Sequence, residues 1–173
     1  MMVQPLLSRN ISAEFLTFNH YIFGQVKVSN TGLMGNLADI HISFIEINDA
    51  NIARILKPDK VTNYVETHYL VKKQIFAICV AKREYIGTSM RTGYNRVFQY
   101  PVFITTPVYE IQGTLEWTGR FEFPVIMSDG SNPFLTLYDA KISAVLFPAL
   151  SIESPCILVN RNYVDSLSTI KAS

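Results

Sequence analysis

Apolar and polar residues alternate with period two along much of the chain, and one such alternation is written twice. Phe44-Ile-Glu-Ile-Asn-Asp-Ala-Asn-Ile-Ala53 and Phe134-Leu-Thr-Leu-Tyr-Asp-Ala-Lys-Ile-Ser143 place Phe, two aliphatic residues, Asp-Ala and Ile at identical spacing, 90 positions apart. Period two is the mark of a strand with one covered face. Upstream, Tyr21–Val28 lies over Val108–Trp117 with Gly24 over Gly113 at a spacing of 89. A glycine inside an alternating run predicts a bulge or bend at the same point of both copies. Downstream, Ile78-Cys-Val-Ala-Lys-Arg-Glu-Tyr-Ile86 aligns with Cys156-Ile-Leu-Val-Asn-Arg-Asn-Tyr-Val164 at a spacing of 78. The drop from 90 to 78 assigns extra residues to the first copy, between Leu56 and Lys73, with a turn at Lys57-Pro-Asp-Lys60.

Repetition takes precedence over other fold inferences, because it sets the architecture. The expected organisation is a lead-in over 1–14, a first β unit over 15–87, a linker or hairpin over 88–101, and a second β unit over 102–173. Phe15–Val28 reads as one or two strands closed by the turn Ser29-Asn-Thr-Gly32. Leu33–Asp39 fits a single helical turn, whereas its counterpart Arg120–Asn132 reads as β-like Phe121-Glu-Phe followed by a loop. Ile40–Asn48 changes phase near Phe44, which predicts a bulge there, and the stretches after Asp-Ala, 51–56 and 141–147, predict a further strand in each copy. Val71–Ala81 and Pro155–Val159 are the most apolar, β-branched runs and suit the innermost strands.

Composition adds a reason for assembly. The chain is 49% hydrophobic and 17% charged, against about 25% charged in an ordinary globular protein. Units of roughly 60–80 residues are marginal alone, so the surplus is expected at interfaces between units or chains. The longest run without an acid or a base, Val97–Tyr109, is shorter than the roughly 18 residues of a membrane span and contains Pro101 and Pro107. No basic segment precedes an apolar core at the N-terminus, and two cysteines suit a reducing compartment, so a cytoplasmic protein is expected. The paired spacing places Cys79 and Cys156 on opposite faces of their strands and predicts no disulfide between them. A net charge of +1 disfavours nucleic acid.

Gly-x-Leu at Gly113–Leu115, Leu-x-Leu-x-Asp-Ala at Leu135–Ala140 and the closing Val-Asn-Arg-Asn-Tyr-Val164 resemble the Sm-like β-barrel pattern. They are also similar to a short, uncharacterised bacterial domain family that ends in an apolar strand with Val-Asn-(Arg/Lys)-x-Tyr. The resemblance covers most of both halves and implies an all-β protein of two tandem, strongly bent Sm-like or SH3-like barrels, with ring assembly through open edge strands. The chain departs from it at the RNA contacts. Ser43-Phe44 and Pro133-Phe134 stand where RNA-binding Sm proteins carry Met-Asn, and Arg83-Glu84 and Arg161-Asn162 stand for Arg-Gly.

No residue set announces a reaction. His20, His41 and His68 share no metal-ligand spacing with each other or with the cysteines, Glu110, Glu116 and Glu122 read as charges on a solvated strand face, and no phosphate loop or nucleophile elbow is present. A non-catalytic assembly or binding subunit without a cofactor is therefore expected, forming a homo-oligomer such as a ring or docking on a larger protein assembly; an Sm-like nucleic-acid module is the alternative. Lys82, Arg83, Asn160 and Arg161, at matched places in the two copies, are candidate partner or anion contacts, together with Arg91, Tyr94 and Arg96 of the linker. Ile142-Ser-Ala-Val-Leu-Phe-Pro-Ala-Leu-Ser-Ile152 carries no charge and is guarded only by Pro148. Unguarded edges invite pairing, so Ile142, Ala144, Val145, Leu146 and Phe147 are the candidate oligomer edge.

Overall fold

A computed structural model of the chain describes residues 7–87, 96–128 and 132–171. Alternation makes strands of β1 (Arg9–Leu16) and β2 (His20–Val28), which meet in a turn where Thr17 Oγ1 accepts from the His20 backbone N–H at 3.0 Å. The short helix α1 (Gly32–Ala38) lays Leu33 and Leu37 on the core, and β3 (Phe44–Arg54), β4 (Lys57–Val71) and β5 (Ala77–Val80) follow, with a 3-10 turn over Lys72–Gln74. The same succession then recurs: β6 (Val97–Thr105), β7 (Tyr109–Thr118), α2 (Phe123–Ser128), β8 (Phe134–Ala144), β9 (Ser151–Asn160), a 3-10 turn over Arg161–Tyr163, and β10 (Ser166–Thr169).

The protein is all-β, and its described strands form one open antiparallel sheet in the order β10-β6-β7-β8-β9-β5-β1-β2-β3-β4. The first five strands run β5-β1-β2-β3-β4 and the second five β10-β6-β7-β8-β9, the same order, joined where β5 pairs with β9. Two cores lie along this sheet, one built mainly by each half. β5 and β9 sit at its centre, so both of their faces are covered. Ile78, Val80, Cys156 and Leu158 point into the first core, whereas Ala77, Cys79, Ile157 and Val159 point into the second. This is why these two runs are the most apolar of the chain, and the two cysteines do lie on opposite faces.

Several boundaries differ from the sequence expectations. β1 begins at Arg9, inside the stretch read as a lead-in, and β6 begins at Val97, inside the stretch read as a linker. Lys57–Val71 is a strand and not an insertion; its exposed, polar face hid it. β3 starts at Phe44 and runs through Asp49-Ala50 to Arg54 as one strand, so neither a bulge at Phe44 nor a further strand after Asp-Ala is present, and β8 does the same. Residues 123–128 are helical where β-like Phe121-Glu-Phe followed by a loop was expected, because Ile126 is drawn into the second core and Pro124 is tolerated in a first helical turn.

The irregularity falls opposite the two glycines. Phe23 pairs with Asn51 and Gln25 with Asn48, so Gly24 alone faces the two residues Asp49-Ala50. Gly113 likewise faces Asp139-Ala140 between the pairs Gln112/Lys141 and Thr114/Tyr138. Each is a β-bulge in which Asp supplies the extra residue and the chains approach too closely for a side chain on the glycine. A Cβ on Gly24 would lie 2.4 Å from Ile47 Cγ2 and 2.8 Å from the Asn48 carbonyl oxygen; one on Gly113 would lie 2.6 Å from Ala140 Cβ.

Candidate interaction site: the internal joint and the open edges

The β5–β9 joint shows how one half of the sheet is recognised by the other. Its register is Ala77/Val159, Ile78/Leu158, Cys79/Ile157 and Val80/Cys156. Phe134 and Leu158 of the second half are buried in the first core, at 2% and 0% exposure. In exchange, Leu16, Ile55 and Phe76 of the first half enter the second core, where the Phe76 ring stacks on Tyr163 at 4.0 Å and meets Tyr109 edge-on at 5.8 Å. Polar groups at the joint are satisfied across it. Tyr109 Oη donates to the Thr17 carbonyl, Asn160 Nδ2 to the Ile75 carbonyl at 2.9 Å, and Ser154 Oγ to the Val80 carbonyl at 2.9 Å.

A cation straps the outside of the joint. Arg83, just beyond β5, donates to Glu116 at 3.1 Å, lies 3.9 Å from Asp139 and covers the Tyr138 ring at 3.9 Å. Burial holds the neighbouring Cys156 thiol up at about 11, with Arg83 pulling it back and the charges of Asp139 and Glu116 adding to the rise. Burial likewise raises the Cys79 thiol and the phenol of Tyr109, and raises that of Tyr21 with help from the Glu14 carboxylate to which Tyr21 donates.

Arg83 and Arg161 are not counterparts, contrary to the matched Lys82-Arg83 and Asn160-Arg161 of the sequence. The residue equivalent to Arg161 is Lys72: each opens the 3-10 turn after the fourth strand of its half, and their backbone N–H groups donate to the Pro133 and Ser43 carbonyls at 2.8 and 2.9 Å. Both reach back to the preceding helix or the connection after it, Lys72 Nζ to the Asp39 carbonyl and Arg161 to the Ile126 and Asn132 carbonyls. Asn160 is buried and structural, Lys82 is exposed over Tyr85, and Arg96 lies 5.2 Å from the centre of the Phe98 ring. Arg91 and Tyr94 lie outside the described residues.

The segment expected to be an oligomer edge holds no open strand edge. β8 is paired on both sides, by β7 and β9, and Ile142 and Ala144 are buried in the second core. Phe147 packs on that core, while Val145 and Leu146 are exposed in the β8–β9 connection. The outermost strands among the described residues are β4 and β10. β4 is fifteen residues long, and between Val61 and Val71 it carries one charged residue, Glu66, beside the exposed Val61, Tyr64, Tyr69 and Val71. Phe44 of β3 adds to this surface, its ring edge-on to Tyr69 at 5.5 Å. The sequence hides this edge because a strand paired on one side only looks like a polar insertion.

The remaining polar features do not converge. An open groove beside the Asp139 bulge carries Asp139 and Glu153 against Lys141 and Lys171, a balance that favours neither an anion nor a cation. Among the described residues no three metal-ligating side chains cluster, and no helix is long and apolar enough to cross a membrane. In comparisons with family models, curated proteins and solved structures, nothing matches the chain.

Proposed function

We propose that the protein is a non-catalytic assembly subunit, two five-stranded SH3-like units of Sm-like strand order fused edge to edge, that joins further protein through its open strand edges. The observation that carries this reading is β4: a long outermost strand with exposed Val61, Tyr64, Tyr69 and Val71, next to exposed Phe44. Proteins ordinarily shorten, charge or cover such an edge to prevent uncontrolled pairing. Here the charges and the proline cluster at Lys57-Pro-Asp-Lys60, leaving Val61–Val71 open with one acid. The non-catalytic part is supported by the groups that chemistry would need. Glu116 is tied to Arg83, Glu14 accepts from Tyr21, and both thiols are buried in apolar cores. Arg83 and Arg161, the anchors of a nucleic-acid reading, are engaged by protein oxygens.

Light scattering coupled to size exclusion, on the protein purified from its native source, tests this. The expected particle is heavier than the 19.6 kDa chain and loses mass with Tyr69→Arg. A particle of chain mass across micromolar concentrations, indifferent to Tyr69→Arg, overturns the reading.

A further inference from the structure

Resting on that reading, we propose that the occupant of the β4 edge is β10 of a second copy of this chain, so that copies join head to tail in the register of the internal joint. In strand order, β10 is to the second half what β5 is to the first, and β4 is to the first half what β9 is to the second. The joint inside the chain pairs β5 with β9; among the described residues the edges left open are β10 and β4. Carrying its register over predicts Ser166 opposite Leu70, Leu167 opposite Tyr69, Ser168 opposite His68 and Thr169 opposite Thr67.

Side chains support the match on one face. The counterparts of Phe134 and Leu158, buried across the internal joint, are Phe44 and Tyr69, which are 39% and 60% exposed. Two aromatic rings therefore stand in water at the positions whose equivalents are core. The surface they would meet is the counterpart of Ile11 and Val28, both buried in the first core, and it consists of the half-buried Tyr100 and Trp117 beside Phe121. Aromatic pairs meeting edge to face add to area burial. On the other face the apolar plug is replaced by charge. Asp165 stands for Phe76, and His20 and Gln74 stand for Tyr109 and Tyr163, so an acid of one copy meets an imidazole of the next. The Arg83 strap would lose its carboxylate acceptor and its ring, because Lys27 and Asn48 stand for Glu116 and Tyr138. The contact between copies is therefore weaker than the internal joint, and being heterologous it builds rings or open chains rather than a two-fold dimer.

The test uses the recombinant full chain and two edge variants, Tyr69→Arg on β4 and Ser168→Arg on β10, both at exposed positions. Wild type is expected to assemble, each variant alone to remain at chain mass, and an equimolar mixture to form a particle of two chains through the one intact edge of each. Assembly of Ser168→Arg by itself would mean that β4 pairs with β4 and would overturn the proposal, as would a mixture that stays at chain mass. A His68→Cys/Ser168→Cys double variant provides a second reading that does not depend on blocking. Oxidation is expected to link copies covalently, since directly opposed Cβ atoms lie within about 5.5 Å of each other, and absence of linkage refutes the register. A recombinant wild type that stays monomeric while the native particle is heavy overturns this inference alone and leaves the assembly reading standing.

Discussion

Asp49 and Asp139 share a left-handed backbone, φ 51° and 46°, at the same position of two eleven-residue strands. Among the described residues no other non-glycine residue has positive φ. Left-handed geometry costs an ordinary L-residue roughly 1–2 kcal/mol, and Asp is one of the few side chains that tolerates it. In both halves the Asp is the extra residue of the bulge that faces Gly24 or Gly113, so the Asp-Ala and Gly pairs are two sides of one device that bends the sheet.

The Asp is therefore replaceable by glycine and not by a branched residue. Asp139→Val is expected to lower stability by about 1–2 kcal/mol, while Asp139→Gly stays near wild type. Urea denaturation measures both, and equal effects of Val and Gly would show that the side chain and not the backbone matters.

Gly113→Ala introduces a Cβ 2.6 Å from Ala140 Cβ and 3.2 Å from Leu137 Cβ. Overpacking of this kind costs about 1–3 kcal/mol. Because the nearest atom is a methyl group, Ala140→Gly is expected to restore part of the loss in the double variant; a purely additive double variant would place the strain elsewhere in the bulge.

The alternating strands, the paired glycines and the Asp-Ala bulges were legible in sequence because each is a local demand: a two-residue period, a close approach, a left-handed residue. The order of strands was not. Ile78–Ile86 resembles Cys156–Val164 because β5 and β9 share an environment, covered on both faces at the centre of the sheet, and not because they hold equivalent places. The true equivalent of β9 is β4, which lies at an edge and is correspondingly polar. Burial sets the composition of these strands more strongly than topology does, so the sequence pairs Arg83 with Arg161, whose structural counterpart is Lys72, and points to buried β8 in place of the open edge.

Leu146 offers a control for that correction. It is 78% exposed but belongs to the β8–β9 connection and to neither outermost strand. Leu146→Lys is expected to leave particle mass unchanged under conditions where Tyr69→Arg lowers it, measured by the same light scattering. Dissociation by Leu146→Lys would return the interface to the uncharged 142–152 segment.

Burial of Cys156 links stability to alkaline pH. Its folded pKa of about 11 lies above the ordinary 9.0, so the neutral thiol is the form that the fold favours. The stabilisation is complete below about pH 9, where the unfolded thiol is also neutral, and is lost as pH rises toward 11. The loss is at most about 1.4 kcal/mol per pH unit for this one group. Chemical denaturation at pH 8, 9, 10 and 11 is expected to show a shallower decline for Cys156→Ala than for wild type, whatever the variant's absolute stability; identical slopes would place the thiol in contact with water.

Two contacts across the β5–β9 joint separate buried from exposed contributions. Arg83 is a half-exposed cation shared among Glu116, Asp139 and Tyr138. Exposed ion pairs contribute up to about 1 kcal/mol and are screened by salt, so Arg83→Ala is expected to cost less than that and to cost less still at high ionic strength. Tyr109 Oη instead donates to the buried Thr17 carbonyl from within the second core. Tyr109→Phe keeps the ring and leaves a buried acceptor without this donor, a loss of about 1–3 kcal/mol that salt does not touch. Because β5 and β9 contribute side chains to both cores, neither variant is expected to uncouple the halves. Fluorescence of Trp117, the single tryptophan, reports the second half and far-ultraviolet circular dichroism reports the whole sheet. Their denaturation curves should coincide in wild type and in both variants, and divergence in wild type would show that the two cores unfold independently despite the shared strands.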